Sequence, residues 1–208
     1  MKFWNSTWTS LAAAGITVSL GFLTAYAIGI GKVKGRTWIL GVFMVAFTIP
    51  QEALIYPLYN AAKKLNLYDN LLSIVLIFGI SGIAFSTYLI ASVLNEFPTE
   101  VLEAAKIDGA SAWRMMVDVV LPILRPTLMV ITVMVFIYNW NEFLIPLVLL
   151  PSNDNQTVSL GIALTVGQWT AEPTARAAAA LLGALPSILF FVIFQRSLMR
   201  GVTMGSSK

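Results

Sequence analysis

The chain has 208 residues, 58% hydrophobic and only 11% charged, with a formal net charge of +3 and neither cysteine nor histidine. Soluble domains carry about 25% charged residues, so this balance makes lipid the expected solvent. The missing residue types exclude thiol chemistry, disulfides, Cys/His metal centres and a histidine proton relay, and no Lys/Arg run suggests a nucleic-acid surface.

A membrane-spanning helix needs about 20 mostly apolar residues. The first such segment is 8–30, uncharged throughout; its apolar run is too long, and its flank too poor in basic residues, for a signal peptide. Ala13, Thr17, Gly21, Ala25 and Gly29 recur along it at every fourth position. Such a stripe lets helix backbones approach closely, as an internal seam or as a subunit interface. The second segment is 37–58, interrupted by Pro50 and Glu52, and the third is 71–94. The fourth, 121–150, is long, with Pro122, Pro126 and Pro146 near its ends; the fifth, 177–194, contains Pro186. With no internal repeat or low-complexity linker, residues 1–208 are expected to form a single all-α domain, a polytopic transmembrane helix bundle.

Short cytoplasmic loops are enriched in Lys and Arg. Lys32, Lys34, Arg36, Lys106, Arg114, Arg125, Arg196, Arg200 and Lys208 fall on one side of this topology, nine residues against the four of Lys2, Lys63, Lys64 and Arg176. The segment 95–120 and the C-terminus are therefore expected in the cytoplasm and the N-terminus outside. That placement predicts a further span upstream of residue 1.

Segment 95–120 is charged and broken by a glycine. Pro98 and Glu100 favour a helix start, and Glu103 stands at i,i+3 from Lys106. Gly109 is a helix stop, Ser111 a cap for a second helix to about Val120, and Arg114 stands at i,i+4 from Asp118. Leu121-Pro122 is expected to close this helix–turn–helix bracket, on which Ala104 and Ala105 make a smooth patch. On physics alone the segment is either a docking bracket or a solvated loop with incidental helices.

Two polar clusters interrupt the spans, Gln51 with Glu52 after Pro50, and Asn139, Asn141 and Glu142 around Trp140. At ~1.5 Å per residue, Glu52 lies about 22 Å from Thr37 and Asn141 about 25 Å from Leu124, so the clusters share a depth. Amides, carboxylates and aromatic rings there either line a path for a polyhydroxylated ligand or, with Tyr138, form an interfacial belt.

The spacing Glu103-Ala104-Ala105, three residues, Gly109, nine residues, Val119, one residue, Leu121-Pro122 resembles the signature of ABC importer permeases, with Val119 where isoleucine is usual. EAAKIDGAS is typical of the carbohydrate-importing branch. Asn5-Ser6, the run Ile49–Tyr59, Trp140-Asn141-Glu142-Phe143 and the tail from Gln195 agree, so the chain resembles a maltose-type permease of the carbohydrate uptake family along its length. By that resemblance it begins just before the family's second span. The resemblance implies a prokaryotic, multi-pass subunit of the cell membrane with no catalysis and no bound cofactor or metal. ATP is used by a partner ATPase dimer, and a second permease subunit and an extracytoplasmic solute-binding protein complete the importer. Carried over residue by residue, Glu103, Ala104, Ala105 and Gly109, joined by Asp108 and Ala110, form the ATPase-coupling EAA loop. By fold-level analogy the loop from Pro151 to Pro173 faces the binding protein.

Rival functions fit poorly. The chain lacks the G-x-x-x-x-G-K-[ST] loop of a nucleotide-binding subunit. An ion-driven transporter predicts repeats in two halves and leaves the bracket without a purpose. An intramembrane enzyme would have to work without His or Cys.

Overall fold

The computed structural model describes residues 1–31, 33–164 and 173–204. Lys32, Lys208 and residues 165–172 of the loop expected to face a binding protein lie outside the described residues. Helix α1 (Lys2–Gly29) is the central post and packs against α4 (Leu71–Ser81), α5 (Ile83–Asn95) and α8 (Leu121–Asn141). Its small-residue stripe is the internal seam. Ala13, Thr17 and Ala25 are fully buried, and a Cβ at Gly21 would collide with Ser86 while one at Gly29 would lie 3.1 Å from Leu94. Thr17 Oγ donates to the Gly79 carbonyl at 2.9 Å. Between membrane helices, small residues permit this approach and such bonds add about 0.6 kcal/mol each.

Asn70 caps α4 by accepting from the Leu72 N–H at 2.9 Å, and α4 and α5 meet at Gly82 to make one span, Leu71–Asn95. The main core joins Phe22, Ile90, Leu94, Met115, Met116, Phe136 and Trp140, drawn from four parts of the chain.

The expected span 37–58 is not one helix. α2 (Arg36–Thr48) stops before an extended Ile49 and Pro50, a short 3₁₀ turn follows (Gln51–Leu54), and α3 (Ile55–Lys64) leaves at 82°. Pro50 has no N–H to donate, and its ring forces Ile49 out of helical geometry. Among the described residues four helices are long and apolar enough to cross a membrane, five if the bent pair counts as one span.

The expected span 121–150 is also redrawn. α7 (Ala112–Arg114), a π-helical turn (Met115–Val120) and α8 run as one helix of 30 residues, so Leu121-Pro122 does not close the bracket. The Leu121 N–H reaches back to the Met116 carbonyl, the wider π register just ahead of Pro122, which has no N–H to place. The helix ends where Glu142 turns extended, and α9 (Leu144–Leu149) is separate.

After α9, the turn around residues 151–157 is held from two sides before α10 (Val158–Leu164). Asp69 Oδ1 accepts from the Ser152 hydroxyl at 2.9 Å and its N–H at 3.2 Å, and the Asp69 carbonyl accepts from Asn155 Nδ2 at 2.6 Å. From α1, Asn5 Nδ2 donates to the Asp154 carbonyl at 2.7 Å and Ser6 Oγ accepts from the Val158 N–H at 2.8 Å. The long last helix, α11 (Pro173–Met204), joins the bundle along α8, where Phe190 stacks on Phe136 at 4.1 Å.

Candidate functional site

The segment between α5 and α8 is built around a glycine. Helix α6 (Thr99–Ile107) starts after Pro98 with Glu100 in its first turn and ends in a Schellman closure. Gly109 takes φ +76°, its N–H bonds the Lys106 carbonyl at 3.0 Å, and the Ala110 N–H bonds the Ala105 carbonyl at 2.9 Å. Ser111 then caps α7, accepting from the Arg114 N–H at 3.3 Å.

This geometry sorts the motif. Glu103, Ala104, Asp108 and Gly109 face outward and Ala110 is half-buried. Ala105 packs inward with Val101 and Leu102 against the core, so the expected two-alanine patch is one exposed alanine supported by its neighbour. Among the described residues neither Glu103–Lys106 nor Arg114–Asp118 closes as an ion pair. Two large apolar side chains, the exposed Ile107 and Trp113, stand on either side of Gly109; sequence reasoning passed over them.

The second feature is a cavity of about 750 Å³ between the broken 36–64 pair, the α4–α5 joint and α8. Its apolar lining includes Phe43 and a stacked pair, Phe47 on Phe85 at 5.2 Å. Its polar groups are Gln51, Glu52, Tyr138 and Asn139. Gln51 Oε1 and Asn139 Nδ2 are buried and hydrogen-bond to nothing among the described residues. A buried amide group left unpaired costs about 1–3 kcal/mol, and these two, an acceptor and a donor, belong to side chains on two walls of the cavity. Aromatic faces beside hydrogen-bonding groups suit a neutral polyhydroxylated molecule.

The two clusters read from the sequence are thus split. Gln51, Glu52 and Asn139 come together on the cavity, whereas Asn141 and Glu142 do not reach it. Asn141 is exposed and its Nδ2 bonds the Ile137 carbonyl of its own helix at 2.7 Å. Glu142 Oε1 accepts from the N–H groups of Leu144 and Ile145, holding the start of α9. Of the aromatic residues beside them, Tyr138 is exposed and lines the cavity, and Trp140 is 2% exposed with its indole N–H bonded to the Gly183 carbonyl at 2.9 Å.

The family model described as binding-protein-dependent transport system inner membrane component matches residues 17–203. A lactose transport system permease protein of Rhizobium radiobacter is 30% identical over 208 residues, covering 100% of this chain and 75% of the relative. A trehalose transport system permease protein of Mycobacterium tuberculosis is 30% identical over 206 residues, 98% of this chain and 75% of the relative. An sn-glycerol-3-phosphate transport system permease protein of Shigella flexneri is 32% identical over 195 residues, 93% of this chain and 68% of the relative. The fold matches a chain in the crystal structure of a bacterial ABC transporter involved in the import of the acidic polysaccharide alginate. The TM-score is 0.67 at 21% identity, over 100% of this chain and 76% of that one.

Proposed function

The chain belongs to the family of binding-protein-dependent transport system inner membrane components, and on that premise we propose that it forms one wall of a carbohydrate path opened through residues 95–120. It is a transporter permease subunit of an ABC importer, not an enzyme, and its family works with ATPase and solute-binding partners. Relatives named for lactose, trehalose and sn-glycerol 3-phosphate support a small polyhydroxylated cargo.

In this reading the 95–120 segment and the C-terminus are cytoplasmic and residues 1–208 act as a single membrane domain. Glu103, Ala104, Asp108 and Gly109 face one subunit of an ATPase dimer, with Ala105 and Ala110 supporting them. ATP is bound by that partner and this chain holds no cofactor. Helix α2 buries none of its side chains, and a second permease subunit against that flank closes the cavity around the sugar. Gln51, Glu52 and Asn139 meet the cargo there; Asn141 and Glu142 instead hold the end of α8 and the start of α9.

One observation carries the reading. The helix Ala112–Asn141 begins beside the motif and reaches Asn139 on the cavity, so a rigid body joins the two features. Rotation of such bodies is how domain closure at one face becomes opening at another.

The test is co-expression with the ATPase subunit, followed by uptake measurement. Glu103→Lys is expected to abolish ATPase co-purification. Asn139→Ala is expected to leave the complex intact and slow uptake about tenfold, the loss of one or two hydrogen bonds of about 1 kcal/mol each. A Glu103→Lys chain that still binds the ATPase and imports sugar overturns the coupling assignment, and unaltered uptake by Asn139→Ala overturns the path.

A further inference from the structure

Helix α6 buries no residue and rests on the π-helical turn. Among the described residues, a single side chain hydrogen-bonds from the membrane helices into segment 96–120. It is Tyr26, near the end of α1, whose hydroxyl donates to the Ala112 carbonyl at 3.1 Å. Ala112 is the first residue of the long helix that ends on the cavity. The remaining side-chain attachment of the segment is apolar, through Phe97, Met115, Met116 and Val120 and the half-buried Val101, Leu102 and Ala105, while its backbone runs on into α5 and α8.

The other end of α1 carries a second polar joint. Asn5 and Ser6 are buried, and Asn5 Nδ2 donates to the carbonyls of Asp154 and Gln156 at 2.7 and 3.1 Å. Ser6 Oγ accepts from the Val158 N–H. From residue 5 to residue 26 the helix spans about 32 Å, the depth of a bilayer core. In between, Thr17 and Gly21 lock against α4 and α5, so the helix has little room to bend.

The two kinds of attachment respond differently to a push. Apolar packing is non-directional and lets surfaces slide, whereas a hydrogen bond weakens steeply away from its geometry. A displacement of Ala112 is therefore passed to α1 through the Tyr26 hydroxyl and leaves it through Asn5.

We propose that α1 is the strut that carries a nucleotide-driven movement of the coupling segment to the turn at residues 153–157, with Tyr26 and Asn5 as positioning residues at its two joints. This rests on the reading above, in which 95–120 meets the ATPase and 153–157 lies on the opposite face of the membrane.

The experiment is hydrogen exchange at the amides of residues 153–157, measured on the transporter assembled with its ATPase and second permease in nanodiscs, with and without MgATP. In the unsubstituted transporter MgATP is expected to change exchange at this turn by about tenfold. Tyr26→Phe keeps the ring and its packing; exchange without nucleotide should be unchanged while the MgATP response is lost. Asn5→Ala should raise exchange without nucleotide and also lose the response, and the double variant should lose no more than either alone, as two joints of one strut require. A full MgATP response in Tyr26→Phe with the ATPase still bound overturns the strut, as does no response in the unsubstituted transporter. Failure of the docking reading shows elsewhere, as undiminished ATPase co-purification by Glu103→Lys.

Discussion

Replacing Gly109 by alanine isolates what the glycine does. Its φ of +76° lies in the left-handed region, and a Cβ built on it meets no atom within 4 Å, so the substitution adds no clash within this chain. What remains is backbone strain, about 1–2 kcal/mol for an L-residue held there. That energy corresponds to a factor of about 5–30 between the closed turn and its alternatives. The turn carries the two bonds that end α6 and aims Ala104 and Asp108 outward. If the turn is near balance with its alternatives and the ATPase selects it, affinity falls by about the same factor, because a ligand sees only the competent fraction. The assay is a binding titration of the ATPase subunit against the permease in nanodiscs. Gly109→Ala should bind about 5–30-fold more weakly, and Gly109→Asn should recover most of the loss, since asparagine visits the left-handed region at lower cost. Equal binding by Gly109→Ala, or Asn binding no better than Ala, refutes the backbone argument.

Three further outcomes follow from single contacts. Gly21→Val drives a side chain into Ser86 and the Thr87 backbone and should destabilise the bundle by about 1–3 kcal/mol in thermal unfolding; Gly15→Val, with open space around it, should change nothing measurable. Trp140→Phe loses the bond to Gly183 and leaves a gap where the buried indole was larger, and should cost about 1–3 kcal/mol in thermal unfolding. Asp69→Ala removes the acceptor for both polar groups of Ser152; at about 2 kcal/mol for bonds to a carboxylate, the Ser152 amide should exchange roughly thirtyfold faster, and Asp69→Asn should lie between.

The sequence made the seam and the coupling turn legible because both depend on residue size and backbone preference at fixed spacing. Gly21 and Thr17 could be read as close-approach positions without knowing the partner helix, and Gly109 as a helix stop without knowing its φ. Hydropathy placed the apolar segments but not their continuity. A window average cannot see that Pro50 breaks a span while Pro122 follows a π-helical turn and Pro126 lies inside a continuous α-helix. Depth along a helix likewise grouped Asn139 with Asn141 and Glu142, yet these positions point to different sides of α8 or past its end. Tyr26 and Asp69 carried no signal at all: each acts on a backbone group more than 80 residues away in the chain.

The departures from regular helix also explain why a cavity exists where it does. Exposed irregular backbone is not tolerated in lipid, so a break in a span must be covered by protein or line a space. Ile49 and Pro50, at the 82° bend, line the cavity, and so does Gly82, where α4 passes into α5. Withdrawing α3 at that angle removes a turn of helix that would otherwise fill the gap between α2 and α8. The space left is too large for Phe47 and Phe85 to close by stacking, and the polar groups at its edge are those nearest the break and the end of α8. The π turn does the opposite at the other end of that helix, burying Met115, Met116 and Val120 in the core beneath the coupling segment.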